Sequence, residues 1–179
     1  MRFHPENFSK MKQIGLLSDT HGDIPDSLFS FFEKCDQIWH AGDIGDAQTA
    51  ERLAGFKPLV AVYGNIDGQD VRVTYPQHQR FFCEGVDVWI THIGGYPGHY
   101  DLSVRDMVRA NPPKLFVSGH SHILKIIYDK KLELLHLNPG AAGRKGFHKM
   151  QTALRFVIDG TDLRVMEIWQ KEKVRRSED

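Results

Sequence analysis

Five short apolar runs in this 179-residue chain each end on residues able to bind a metal or move a proton. Gln13 to Ser18 runs into Asp19-Thr20-His21-Gly22, and Gln37 to Ala41 runs into Gly42-Asp43. Leu59 to Tyr63 is followed by Gly64-Asn65-Ile66-Asp67, Val86 to Thr91 by His92, and Leu115 to Ser118 by Gly119-His120-Ser121-His122. Asp19, His21, Asp43, Asn65, His92, His120 and His122 together offer four imidazoles, two carboxylates and an amide oxygen. That mixture suits borderline divalent ions such as Mn²⁺, Fe²⁺ or Zn²⁺. It exceeds what one tetrahedral zinc site needs, and it suffices for two ions if one carboxylate bridges them. Two ions about 3.5–4 Å apart can bring the pKa of a water near neutrality and clamp phosphoryl oxygens for in-line attack.

Taken singly, each motif is ordinary. Asp19-x-His21 also reads as a turn or cap, Gly42-Asp43 is commonplace after a strand, and a lone His92 reads as a hydrogen-bonded structural histidine. His120-x-His122 is stronger, because a two-residue step in extended chain puts both imidazoles on one side. The ordered set carries the argument: in α/β sheets the carboxyl ends of the strands converge on one crevice.

The elements that must position these residues follow from hydrophobic periodicity. Strand, helix, strand, helix, strand over Gln13 to Tyr63 implies a parallel sheet, with Pro25 opening a helix whose apolar face holds Leu28, Phe29, Phe32 and Cys35. Short strands are expected at Val71 to Tyr75, Arg80 to Cys83 and Val86 to Thr91. Asp101 would cap a helix burying Leu102, Val104, Met107 and Val108, stopped by Pro112-Pro113. After Leu115 to Ser118 only strands follow, at 124–129, 132–137, 152–158 and 163–169, with Asp159-Gly160 turning the last pair.

Composition adds bounds. With 41% hydrophobic and 26% charged residues the chain reads as one globular domain. The 23 basic and 23 acidic residues cancel, so no global charge calls for nucleic acid or an anionic membrane. No apolar stretch reaches the ~20 residues that cross a bilayer. Cys35 and Cys83 are far apart and outside any CxxC, which fits reduced thiols in a cytoplasmic setting. Residues 1–12 read as an N-terminal extension, 13–170 as the domain, and 171–179 as a solvated charged tail.

The motif order D-x-H, G-D, G-N-x-[D/E], H, G-H-x-H resembles the calcineurin-like metallophosphoesterases, over roughly Gln13 to Gly140 and including Asn138-Pro139-Gly140. The length and the stretch His40-Ala-Gly-Asp-Ile-Gly-Asp46 are similar to the small phosphodiesterase branch often labelled YfcE-like. The resemblance implies a single-domain, four-layer α/β/β/α sandwich. It implies one metal held by Asp19, His21 and His122, another by Asn65, His92 and His120, Asp43 bridging, and a bridging hydroxide as nucleophile. Mn²⁺ is the expected ion, with Fe²⁺, Zn²⁺ or Ni²⁺ as alternatives, and Asp43 and Asn65 carry the catalytic roles. The implied partner is a small phosphoester; nucleic acid enters only as substrate, no membrane is involved, and a homo-oligomer is allowed. Phosphomonoesterase, cyclic-nucleotide phosphodiesterase and a non-catalytic scaffold like retromer's phosphoesterase-like subunit are the alternatives. Asp67 reads as a turn or ligand-orienting partner.

Two departures stand out. Many relatives place a histidine after the asparagine as proton donor, and here that residue is Ile66. In Thr91-His-Ile-Gly-Gly-Tyr-Pro-Gly-His-Tyr-Asp101, where relatives more often show T-H-G, Ile93 intervenes before Gly94-Gly95 and a Gly/Pro-rich loop follows. There His99 is a candidate substitute donor or a plain surface histidine, and Tyr96 and Tyr100 are candidate stacking partners. His4, His40, His78, His136 and His148 read as structural or exposed.

Overall fold

The alternation that marks the first run as a strand also splits its side chains between two cores. In the computed structural model, which describes residues 11–173, β1 (Lys12–Leu17) sends Ile14 and Leu16 into one apolar cluster and Leu17 into another. Beside it lie α1 (Asp26–Phe32), β2 (Gln37–His40), α2 (Ala47–Phe56), β3 (Leu59–Ala61) and α3 (Gln69–Arg72). The chain continues through β4 (His78–Cys83), β5 (Val86–Thr91), the two-residue strands β6 (Gly95–Tyr96) and β7 (His99–Tyr100), α4 (Arg105–Ala110) and β8 (Leu115–Val117). It closes with β9 (Leu124–Asp129), β10 (Leu134–Pro139), β11 (Met150–Asp159) and β12 (Asp162–Glu172).

Two five-stranded sheets result, ordered β12-β11-β1-β2-β3 and β4-β5-β8-β10-β9. β1, β2 and β3 run parallel, as do β5, β8 and β10, while β11, β12, β4 and β9 pair antiparallel. Between the sheets lie Ile14, Leu16, Trp39, Val88, Ile90, Val117, Leu137 and Phe156, all fully buried. Burial of each such side chain contributes about 1.5–3 kcal/mol. Leu28 and Phe32 of α1 cover the outer face of the first sheet. Val104 and Val108 cover the second through Trp89, Phe116 and Leu134. These layers are the expected α/β/β/α sandwich. No helix among the described residues is long and apolar enough to cross a membrane. Cys35 and Cys83 are unpaired and buried.

Three local expectations are corrected. Val71 to Tyr75 is not a strand: α3 turns there, because Gly68 O accepts the N–H groups of Val71 and Arg72. The apolar spacing that counts is four, with Val71 and Tyr75 in one cluster and Val73 exposed. In the segment of α4 Val104 and Val108 form the buried face, while Leu102 and Met107 are exposed, and the helix starts at Arg105. Asp101 spends its carboxylate on Ser103 N and Oγ (2.9 and 2.6 Å). Strand structure starts at Lys12 and ends at Glu172, one residue before and two after the 13–170 bounds read from sequence. His4 and Val174-Arg175-Arg176 lie outside the described residues.

Candidate metal centre

The C-terminal ends of β1, β2 and β3 in one sheet and of β5 and β8 in the other open onto the same loops. Those loops are zipped to one another by backbone bonds. Asp19 N donates to Gly42 O (3.0 Å), His21 N to Asp43 O (3.0 Å) and Gly119 N to His92 O (2.9 Å). Asp19, His21, Asp43, His120 and His122 all have φ between 48° and 68°, the left-handed region that β-carbons disfavour. Only two other non-glycine residues in the described chain do so, Glu84 and Glu133, and local strain of this kind gathers at functional sites. The extended step expected for His120-x-His122 is therefore corrected: the left-handed backbone sends the two rings to different clusters.

Asp19, His21 and His122 form one cluster and Asp43, His92 and His120 the other, ligand atoms within each lying within 4.8 Å of one another. In the first, His122 Nε2 is 3.1 Å from Asp19 Oδ1 and 3.4 Å from His21 Nε2. In the second, His92 Nε2 is 3.2 Å from Asp43 Oδ1 and 3.1 Å from Asn65 Oδ1. Asp43 turns its other oxygen, Oδ2, toward His21 Nε2 at 3.9 Å. All seven residues singled out in the sequence thus meet, with Asp43 between the clusters.

Hydrogen bonding decides which ring nitrogens face inward. His92 Nδ1 lies 2.7 Å from Ala41 O, which can only accept, so Nδ1 carries a hydrogen and Nε2 is the nitrogen turned to Asp43 Oδ1 and Asn65 Oδ1. Buried Asp19 Oδ1 receives no hydrogen bond among the described residues. Its partner oxygen Oδ2 accepts from Ser18 Oγ (2.6 Å) and His120 N (3.1 Å). A buried carboxylate oxygen left without a donor is the environment a cation fills. The donor set fits divalent metal ions.

Electrostatics agree. Burial works against charge on His92, but the Asp43 hydrogen bond and the Asp19 charge outweigh it and raise its pKa. Burial likewise disfavours the Asp43 anion, yet the His92 bond prevails and its pKa is lowered. For His21 burial wins over Asp43 and Asp19, and its pKa falls.

Around the candidate ligands stands a layer that sequence reasoning saw only partly. Asp67, 4% exposed, accepts from Ile44 N (3.1 Å), Gly45 N (2.7 Å) and Gly64 N (2.7 Å), pinning the Asp43 loop to the Asn65 loop. Gly64 is required here, since a Cβ would overlap Asp43 Oδ1 and its backbone N. Asn138 Nδ2 donates to Gly119 O (2.8 Å) and Ser121 Oγ (3.1 Å), steadying the His120 loop. His40 bonds Gly42 N and Thr20 Oγ1 beneath the site, and burial pushes its pKa down to about 3. His148, read as structural or exposed, instead reaches His122, with Nδ1 to Nδ1 at 3.1 Å. Its polar, glycine-flanked loop carries no signal that would have singled it out.

The 93–100 loop folds as the β6-β7 hairpin. Tyr100 is core, packed on Phe116 with its hydroxyl donating to Asp129 (2.7 Å), so it cannot stack on a ligand. His99 is exposed with its ring against Tyr96, and Lys125 lies over the Tyr96 ring. Ile66 is 46% exposed, while its N–H donates to Asp43 Oδ1 (3.1 Å). A cleft of about 400 Å³ opens beside Asn65 and His92, lined by Tyr63, Arg72, Gln77 and Ile93 among others.

The calcineurin-like phosphoesterase superfamily domain matches residues 11–161. A probable metallophosphoesterase of Methanothermobacter thermautotrophicus is 30% identical over 134 residues, 72% of this chain and 76% of that protein. Among solved structures, Entamoeba histolytica Vps29 complexed with zinc superposes with a TM-score of 0.69 at 14% identity, covering 89% of this chain and 98% of the other. A structure described as a novel archaeal phosphodiesterase gives 0.60 at 19% identity, covering 88% and 99%. The matched domain takes in every one of the clustered candidate ligands, and the chain belongs to the calcineurin-like phosphoesterase superfamily.

Proposed function

We propose that this metallophosphoesterase hydrolyses phosphodiesters and works with two divalent ions. One ion would be held by Asp19, His21 and His122, the other by Asn65, His92 and His120, with Asp43 shared. The carrying observation is Asp43 itself, whose Oδ1 lies 3.2 Å from His92 Nε2 and whose Oδ2 lies 3.9 Å from His21 Nε2. Such ions supply Lewis-acid charge to phosphoryl oxygens and lower the pKa of water; Mn²⁺ suits these donors, and Fe²⁺, Zn²⁺ and Ni²⁺ compete.

The protein's own groups orient the substrate. With Asn65 Oδ1 turned to His92, the amide NH₂ is left to donate to a phosphate oxygen. The cleft beside it supports a diester, giving the second ester group about 400 Å³. Half-exposed Ile66 borders the site and has no proton to give, so esters with good leaving groups are the better substrates. The archaeal phosphodiesterase of the same fold lends analogy only.

The experiment is to measure bound metal and hydrolysis of bis-p-nitrophenyl phosphate with Mn²⁺ for wild type and Asp43→Ala. About two ions per chain and turnover lost in the variant are expected. A wild type that stays metal-free and inactive after Mn²⁺ addition overturns the reading.

A further inference from the structure

His122 cannot be oriented by the main chain in the way His92 is. His92 Nδ1 donates straight to Ala41 O (2.7 Å). The nitrogen of His122 that faces away from Asp19, Nδ1, meets another imidazole, that of His148, at 3.1 Å, the two rings edge to face with centroids 4.9 Å apart. The far nitrogen of His148, Nε2, lies 3.0 Å from Gly143 O.

A carbonyl oxygen can only accept, so His148 Nε2 carries the hydrogen and neutral His148 offers a lone pair at Nδ1. His122 Nδ1 must then be the donor, which leaves His122 Nε2 bare and aimed at Asp19 Oδ1 (3.1 Å). The geometry points to His148 as a positioning residue that fixes the tautomer and ring orientation of His122 through a Gly143 carbonyl–His148–His122 relay.

The loop is shaped for this contact. At Gly146 φ is +112°, and a Cβ there would overlap His122 Nδ1 and stand 3.2 Å from His148 Nδ1, so only glycine lets the backbone pass the pair. Lys173 anchors the same loop to the end of β12, its Nζ donating to Gly146 O (2.8 Å) and its N–H to Lys149 O (3.0 Å). A ligating histidine is held by what its other nitrogen bonds, and loss of that partner weakens metal affinity about 10–100-fold.

The metal arm of the test rests on the proposed ligand role of His122; the spectroscopic arm does not. In ¹⁵N-labelled, metal-free protein at about pH 8, above the ordinary histidine range, ring-nitrogen spectra should show His122 protonated at Nδ1 and His148 at Nε2. In His148→Ala the His122 signal should shift toward the Nε2–H form. Mn²⁺ titration should show one of two sites weakened about 10–100-fold and the other nearly unchanged. His148→Asn, whose amide oxygen can stand near the Nδ1 position, should recover most of that loss. Wild-type His122 protonated at Nε2 overturns the inference and needs no variant to fold. A His122 tautomer unchanged in His148→Ala, or equal weakening of both sites, also overturns it. A protein with the expected tautomers that binds no Mn²⁺ sinks the proposed function and leaves the relay standing.

Discussion

Removing Asp67 separates the role of the loops from that of the ligands. Its carboxylate holds three backbone donors, on Ile44, Gly45 and Gly64. Asp67→Ala leaves Ile44 N–H and Gly64 N–H buried without an acceptor, whereas the half-buried Gly45 can reach water. At roughly 1–3 kcal/mol for each orphaned buried donor, the loss is about 4 kcal/mol. That is a large part of an ordinary domain's 5–15 kcal/mol, roughly. It corresponds to a fall of about 8–16 °C in Tm for a chain of this length. Ile44 follows Asp43 and Gly64 precedes Asn65, so the second cluster loosens with the loops. Its affinity for Mn²⁺ should drop about 10–100-fold, while the Asp19 cluster is affected less. Asp67→Asn keeps an oxygen for the two buried donors and sacrifices only the Gly45 bond, about 1–2 kcal/mol. Urea unfolding of metal-free protein and stepwise Mn²⁺ calorimetry measure both effects. Asp67→Ala within about 1 kcal/mol of wild type, with both Mn²⁺ sites intact, would refute the reasoning.

Gly64→Ala drives a Cβ into Asp43, and metal content should fall from about two ions to about one, read by elemental analysis of the folded variant. Ile66→His should raise rates on alkyl esters by up to about 10² while changing nitrophenyl esters little; equal gains on both would count against Ile66 as the missing donor. Burial lowers His40 to about 3 and His136 to about 4, so the folded protein binds fewer protons than the unfolded chain below pH ~6.5. Their contribution is fully present above that pH and is lost toward pH 4, at up to about 1.4 kcal/mol per unit for each histidine. The raised His92 acts only above the same value and leaves this slope untouched. Urea midpoints of metal-free protein at falling pH measure it, and a flat acid limb contradicts it.

Much of the site was legible because its ligands sit where apolar runs stop, and that rule does not ask which sheet a strand joins. The sheets themselves were less legible: β1, β2 and β3 supply three strand ends in one sheet, β5 and β8 two in the other. Val71 to Tyr75 misled because β-branched residues at alternate positions mimic a strand, while Asp67 and Gly68 had already turned the chain into a helix. Tyr100 sits in a Gly/Pro-rich stretch that reads as open loop, yet the β6-β7 pairing folds it under onto Phe116. His148 lies 26 residues beyond His122, in the crossing from β10, which pairs with β9, to β11, which pairs with β1, and local sequence does not show that this crossing makes them neighbours.

Left-handed backbone at five of the candidate ligands has a cost that the loops must offset, about 1–2 kcal/mol at a residue with a β-carbon. The compensation is local and visible. Asp19 donates its N–H to Gly42 O, receives Gly143 N–H on its backbone oxygen, and takes His120 N–H on Oδ2. Three loops therefore converge on one residue, and none can relax without breaking a bond to another. The candidate ligand atoms of Asp19, Asp43 and His120 are thereby tied together through the backbone of their own loops. A divalent ion would find its strongest unmet demand at Asp19 Oδ1, which no donor reaches among the described residues, with His122 Nε2 3.1 Å away.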